Sequence, residues 1–188
     1  MVTELYSEYG GFAAGWTALS EGLSSQAKPE RRAMSGNIEA RLKELGIELP
    51  QPTAPLANYV PFTIAGNLVF IAGQISQWNG ERRFVGKLGA GISITEGQQA
   101  ARLCALNIIA HLRVAAGGDL DRVRRCLRLG GFVNCTPEFT DMPQVVNGAS
   151  DLMVEVFGDA GKHARAAVGT SALPGGVAVE VEATFELG

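Results

Sequence analysis

The sequence has few of the residues that build metal sites and disulfide frameworks. It contains three cysteines, Cys104, Cys126 and Cys135, and two histidines, His111 and His163. The cysteines lack the close pairwise spacing of zinc ligands, and their odd number favours reduced thiols in a cytoplasmic protein. We therefore expect no bound metal and a cytoplasmic location.

Long apolar runs and an excess of basic residues are also missing. No stretch of about 18 consecutive apolar residues is present, so the pattern predicts no transmembrane helix. The first residues include Glu4 and Glu8, where a secretory signal peptide has basic residues. The formal net charge is −3, which argues against a general binder of nucleic acid or of anionic membranes.

The chain does have enough apolar residues for a folded core. Of its 188 residues, 46% are hydrophobic and 19% are charged, which is typical of one domain with or without an extension. We divide it into an extension at residues 1–33 and a main domain at 34–188. In the extension, apolar residues recur at helical intervals from Leu5 to Leu23, but several glycines oppose a helix. The extension is therefore either an added helix that packs on the body or a partner, or a poorly ordered tail.

Local signals predict the helices of the main domain. A short helix is expected at residues 37–45, because its apolar residues recur at helical spacing. Ser93 and Glu96 have the spacing of a capping box, which predicts a long helix that ends near Ala116. A second long helix is expected from about Pro143 to Phe157, since proline is favoured in a first turn.

Two segments of the main domain are predicted to be strands with different surroundings. Residues 59–62 and 68–74 form a predicted hairpin, and the uniformly apolar second strand is expected to be buried on both faces. Residues 121–134 are a predicted strand with four arginines. No aromatic residues interleave with these arginines as in nucleic-acid sites, so we interpret them as a solvated face or a charge-protected edge. His111 lies on the apolar stripe of the first long helix and is predicted to pack there.

The C-terminal segment has the clearest strand pattern. Residues 163–169 and 177–183 flank a turn signal at 174–176, so we expect them to be adjacent strands. In the second of these, Val179 and Val181 alternate with Glu180 and Glu182, which is typical of a half-buried strand. This arrangement would bring Arg165 near Glu180 and create a place to hold a small anion and a water molecule.

These C-terminal residues resemble the signature of the Rid family, the reactive intermediate deaminases, also called YjgF-like or L-PSP endoribonuclease-like proteins. The resemblance rests on residues 164–168, on Pro174, on residues 179–183 and on the Gly73-Gln74 pair, and it spans roughly residues 56–187. It implies an α+β, chorismate-mutase-like sandwich with a mixed sheet and two helices on one face. It also implies a homotrimer with pockets between subunits, which would cover a second sheet face that we expect to be apolar.

The resemblance further implies an activity that needs no cofactor. The family hydrolyses 2-imino and enamine acids to 2-keto acids and ammonia. Arg165 is the counterpart of the arginine that binds the substrate carboxylate, for which a planar guanidinium is well suited. Glu180 is the counterpart of the glutamate that orients the water or moves its proton. The expected substrate-binding residues are Tyr59, Gly73, Asn147 and Ala167, with His163 as a candidate proton donor.

Three departures from the family pattern indicate a different set of substrates. Ala72 stands where many members have serine, Ala167 where they have cysteine, and His163 where they have proline. Two other functions are therefore kept as alternatives. One is a regulatory protein that binds a small carboxylate without catalysis, and the other is an RNA-directed endoribonuclease-type protein.

Overall fold

The structure is a computed structural model, and it describes residues 36–52 and 59–188. These residues form an α+β domain, as predicted. The predicted extension at residues 1–33 lies outside the described residues, so its two interpretations stay open. The helices are α1 (Asn37–Glu44), α2 (Ile94–Ala115) and α3 (Met142–Phe157). The strands are β1 (Phe62–Ala65), β2 (Leu68–Ile75), β3 (Gln77–Trp78), β4 (Glu81–Arg82), β5 (Lys87–Leu88), β6 (Gly91–Ile92), β7 (Val123–Asn134), β8 (Ala164–Thr170) and β9 (Val179–Leu187).

The main sheet is mixed and has five strands in the order β1-β2-β9-β7-β8. Its neighbours are antiparallel except for β7 and β8, which are parallel and are joined through α3. A parallel pair needs such a long crossover. The prediction that β8 and β9 are adjacent is wrong, because β7 lies between them. The turn at Pro174–Gly176 carries the chain from the edge strand to the centre of the sheet instead of closing a hairpin.

Helices α2 and α3 pack on one face of this sheet, as predicted. The capping box at the start of α2 is confirmed, since Glu96 N donates to Ser93 Oγ at 3.2 Å and Ser93 N donates to the Glu96 carboxylate at 2.9 Å. His111 is 2% exposed on α2, and burial lowers the pKa of its imidazole. It is a packed residue, as the apolar stripe indicates. Neither α2 nor any other helix in the described part of the chain is long and apolar enough to cross a bilayer.

The opposite side of the sheet, which we call the open face, is only partly apolar. Along β9, Val179 and Val181 are buried against the helices, while Glu180 and Glu182 lie on the open face, as predicted. Strand β2 also alternates, because Phe70 on the open face is 43% exposed. The prediction that β2 is buried on both faces is therefore wrong for the single chain.

Ion pairs occupy part of the open face. Arg125 on β7 pairs with Glu186 on β9 at 2.6 Å, and Arg128 pairs with Glu182 at 2.7 Å. These pairs link neighbouring strands, where opposite charges stabilise a sheet modestly. They correct the expectation of a bare apolar face, and they support the interpretation of the β7 arginines as a solvated face.

Candidate functional site

Arg165 lies on the edge strand β8 and reaches toward α3. Its Nη1 donates to Asn147 Oδ1 at 2.8 Å and to Ser150 Oγ at 3.0 Å, and its Nη2 donates to the carbonyl oxygen of Pro143 at 3.3 Å. All three acceptors are neutral, and within the described residues Arg165 forms no ion pair. The Nε–H and the second Nη2–H lie outside these bonds. A carboxylate that binds a guanidinium side-on uses the Nε–H and one Nη2–H.

A second histidine and a serine continue this network. His163 Nδ1 is 2.6 Å from the carbonyl oxygen of Gly161, so this nitrogen carries the proton that it donates there. His163 Nε2 lies within hydrogen-bond distance of Ser150 Oγ, at 3.0 Å, and this hydroxyl oxygen accepts from Arg165. The role of His163 as a proton donor stays a prediction.

Ser150 was not predicted from the sequence. The only signal for it is its spacing of three residues from Asn147 on α3, which places both side chains on one helix face. Together they fix the guanidinium of Arg165 from one side. This support orients the arginine without neutralising its charge.

Glu180 and Gly73 form a second group, on the open face. In the sheet, Glu180 of β9 lies opposite Ile75 of β2. The register between these two strands shifts at residues 71–74 of β2, and Gly73 lies within this shift. A Cβ atom at Gly73 would overlap the Glu180 carboxylate, so this carboxylate occupies the space that a side chain at position 73 would fill. Burial and, to a smaller extent, the charge of Glu182 raise the pKa of Glu180. Within the described residues the Glu180 carboxylate has no ion-pair partner.

The two groups are apart in a single chain. In the sheet, Arg165 lies opposite Leu129 of β7, and Leu129 lies opposite Ala183 of β9. The side chains of Leu129 and Ala183 face the helices. Glu180 lies three positions along β9 from Ala183 and faces the other way. Ordinary strand spacing and rise then place the Cα atoms of Arg165 and Glu180 on the order of 14 Å apart. The expectation that these two residues lie close together is therefore wrong within one chain.

The remaining predicted residues lie at the margins of these groups. Ala167 is two positions from Arg165 on β8, opposite Gly131 of β7, and it packs partly against the core. Tyr59 precedes β1 and is 57% exposed. The structure brings Asn147 to Arg165 and Gly73 to Glu180. The substrate-binding roles of all four residues stay predictions.

The raised pKa of Glu180 predicts that Glu180→Gln stabilises the fold at neutral pH. A raised folded-state pKa means that the ionised carboxylate is more costly in the folded chain than in the unfolded chain. Below the ordinary glutamate pKa of 4.5 both states are protonated and this cost is absent. The cost appears as pH rises through the folded-state pKa. Melting temperatures measured from pH 4 to pH 8 should therefore show a gain for Glu180→Gln that grows with pH.

Glu186→Gln is the matched control, because Glu186 lies on the same strand and face. Its carboxylate pairs with Arg125 and accepts from Asn67 Nδ2 at 3.1 Å. Removing this paired charge should give no gain at neutral pH. An equal rise in melting temperature for both variants would show that the effect belongs to the whole face and not to Glu180.

The sequence and the fold of this chain are similar to those of known proteins. Residues 39–181 match the family described as "YjgF/chorismate mutase-like, putative endoribonuclease". Protein TCP17 of Trypanosoma cruzi is 48% identical over 154 residues, which cover 81% of this chain and 96% of that protein. The structure of protein Atu1372 from Agrobacterium tumefaciens is 46% identical with a TM-score of 0.76, covering 81% of this chain and 93% of that one. RidA from a Psychrobacter species is 25% identical with a TM-score of 0.52, covering 74% and 97% of the two chains.

Proposed function

We propose that this chain, which belongs to the YjgF/chorismate mutase-like family, hydrolyses reactive 2-imino and enamine acids to 2-keto acids and ammonia. The observation that carries the proposal is the state of Arg165. Its guanidinium is held by neutral acceptors, has no carboxylate partner in the described chain and keeps its Nε–H and one Nη2–H for an incoming anion. A small 2-imino acid presents such a carboxylate next to its reactive carbon.

The chemistry needs only an anchored carboxylate, a water molecule and a proton carrier. An enamine first becomes the imine when a proton moves from its nitrogen to its β-carbon. Water then adds across the C=N bond, which places a hydroxyl on carbon and a proton on nitrogen. A proton finally moves from this hydroxyl to the nitrogen as the C–N bond breaks, which releases ammonia and leaves the keto group. Glu180 suits the proton transfers, because a carboxylate with a raised pKa gains and loses a proton closer to neutral pH. Arg165 would fix the substrate so that this carbon meets the water.

The separation of the two groups supports a site shared between copies of the chain. A three-carbon substrate cannot span a gap on the order of 14 Å across the thickness of a sheet. We propose that Arg165 of one copy and Glu180 of the next line one pocket in a homotrimer. A ring of three copies joined head to tail creates three such pockets. It would also cover part of the open face, including Phe70.

A turnover assay tests the proposed reaction. 2-Aminoacrylate is generated in the presence of the protein, and the formation of 2-keto acid and ammonia is compared with the rate in buffer alone. Acceleration supports the proposal. Binding of 2-oxobutyrate without acceleration would favour the regulatory carboxylate binder, and an absence of both would reject the proposal.

RNA contact is disfavoured, because Arg125 and Arg128 are paired with carboxylates. The proposal includes a cytoplasmic location, which suits the three free buried thiols.

Mixed oligomers provide a prediction about the shared pocket. Arg165→Ala and Glu180→Gln chains are co-expressed with different tags, and trimers that carry both tags are purified. If Arg165 and Glu180 come from different copies, each mixed trimer contains one pocket with both residues intact. The mixed trimers should then recover about one third of the wild-type activity, although each variant alone is nearly inactive.

The alternative arrangement gives the opposite result. If both residues of a pocket come from the same copy, no pocket of a mixed trimer is intact and no activity returns. Light scattering on the untagged wild-type chain supplies the control for assembly. A stable monomer at micromolar concentration would reject the shared pocket and the trimer together.

A further inference from the structure

A pocket of about 460 Å³ lies at the end of β7 and β8, beside the first residue of α3. Its walls include Lys87, Thr136, Pro137, Phe139, Met142 and Ser171. None of the residues that hydrogen-bond Arg165 lines it. Its volume falls in the range of sites for small organic molecules, and such sites combine apolar walls with a few placed polar groups.

Lys87 supplies the charge of this pocket. Its Nζ donates to Asn134 Oδ1 at 2.8 Å and to the carbonyl oxygen of Ser171. Both acceptors are neutral, and no ion pair of Lys87 occurs among the described residues. An ammonium has three N–H groups, so one remains beyond these two bonds. A positive charge without a counter-charge therefore borders an apolar pocket.

The lysine is also held in place by a rigid support. Asn134 is 3% exposed, and its Nδ2 donates to the carbonyl oxygens of Gly86 at 3.2 Å and Val177 at 3.1 Å. These two bonds fix the amide, so that its oxygen is turned toward Lys87. A charge that is positioned before a ligand arrives costs less to order when the ligand binds.

The other walls decide which anion fits. Pro137, Phe139 and Met142 give apolar surface. A second anionic group would find only neutral hydroxyl-bearing residues, Thr136, Thr170 and Ser171, beside this apolar surface and no second cation in the pocket lining. A single carboxylate at Lys87 with an apolar body against Phe139 and Met142 satisfies both halves of the pocket.

We propose that the Lys87 pocket is a second binding site, which takes a small monocarboxylate with an apolar or aromatic body. Its ligand is bound by an ammonium and apolar walls, whereas the Arg165 group binds through a guanidinium fork. The two sites share no residue that contacts the bound carboxylate. The chain therefore has separate means to recognise a substrate and a second organic acid.

The probes for this site are benzoate and benzamide, which have nearly the same shape and differ in charge. The full-length protein is labelled with ¹³C at its methionine methyl groups, and the Met142 signal is assigned by its loss in Met142→Leu. Benzoate should shift the Met142 signal saturably, and benzamide should bind roughly 10- to 100-fold more weakly, as expected for loss of a charged hydrogen bond. Met153, which is fully buried in the core, is the internal control and should not shift.

Lys87→Gln tests the charge without emptying the position. The glutamine amide can still donate to Asn134, so the buried amide keeps a partner and the fold should survive. This variant should lose the preference for benzoate over benzamide, whereas Arg165→Ala should keep it. Loss of hydrolysis together with retained benzoate binding in Arg165→Ala would separate this site from the proposed catalytic site.

Three outcomes would overturn the proposal. Equal affinities for benzoate and benzamide in the wild-type protein would show that Lys87 does not recognise charge. Unchanged benzoate binding in folded Lys87→Gln would also show that Lys87 does not recognise the charge of the ligand. A benzoate shift that disappears only in Arg165→Ala would place the anion at the Arg165 group.

Discussion

Arg165→Ala should reduce the rate of 2-iminopropionate hydrolysis by roughly 30- to 1000-fold, since loss of a charged hydrogen-bond partner costs about 2–4 kcal/mol of transition-state binding. Arg165→Lys should recover little of this loss. A lysine ammonium cannot make the two parallel hydrogen bonds to a carboxylate that the free Nε–H and Nη2–H of Arg165 offer. Steady-state kinetics with freshly generated imine would measure both variants.

Arg113→Ala is a matched control for the removal of one arginine. Arg113 lies near the end of α2, and its nearest carboxylate is that of Glu39 at 3.8 Å. Its loss should leave the hydrolysis rate unchanged. All variants must remain folded and keep the wild-type oligomeric state. Wild-type turnover by a folded Arg165→Ala would make Arg165 a structural residue, and the carboxylate-binding or interaction hypotheses would then lead.

The helices and most strands could be predicted from the sequence because their signals are local. The capping box at Ser93 and Glu96 determines where α2 begins, whatever the helix later packs against. Strand β9 alternates with period two, which separates its buried valines from Glu180 and Glu182. Such patterns depend on neighbouring residues in the chain, and the structure reproduces them.

Which strands are neighbours in the sheet could not be predicted from such local patterns. The turn at Pro174–Gly176 has the residues of a hairpin, yet β8 pairs with β7 instead of β9. This choice depends on the long crossover through α3, which brings β8 alongside β7 in the parallel direction. Because the predicted site relied on β8 lying beside β9, the error placed Arg165 too close to Glu180.

Supporting residues were missed for a related reason. Ser150 and Lys87 belong to no motif that marks a functional site. Lys87 lies 47 positions from Asn134 in sequence, and only the folded chain shows that the two are joined. The sequence motif identifies the residues of the Rid-like signature, such as Arg165. The residues that support them, such as Ser150, or that line a second pocket, such as Lys87, can be identified only from contacts between distant segments of the folded chain.

Gly148→Ala should destabilise the domain strongly, although alanine favours a helix by about 1 kcal/mol over glycine. Gly148 lies inside α3, where a Cβ atom would overlap the backbone carbonyl oxygen of Gln98 on α2. A backbone atom inside a helix cannot move aside, so the two helices would have to separate. We expect a loss of at least about 2 kcal/mol in the free energy of unfolding, measured by urea denaturation at fixed protein concentration.

Gly97→Ala is the control, because Gly97 lies in α2 at the same contact between helices. A Cβ atom there would meet Leu88 Cδ1 and Val145 Cγ1 at 3.0 Å, and both are side-chain ends that can shift. The gain in helix propensity should offset much of this crowding, so the free energy of unfolding should stay within about 1 kcal/mol of wild type. Equal stabilities for the two variants would show that α2 and α3 are not in the close contact that positions Asn147 and Ser150 beside Arg165.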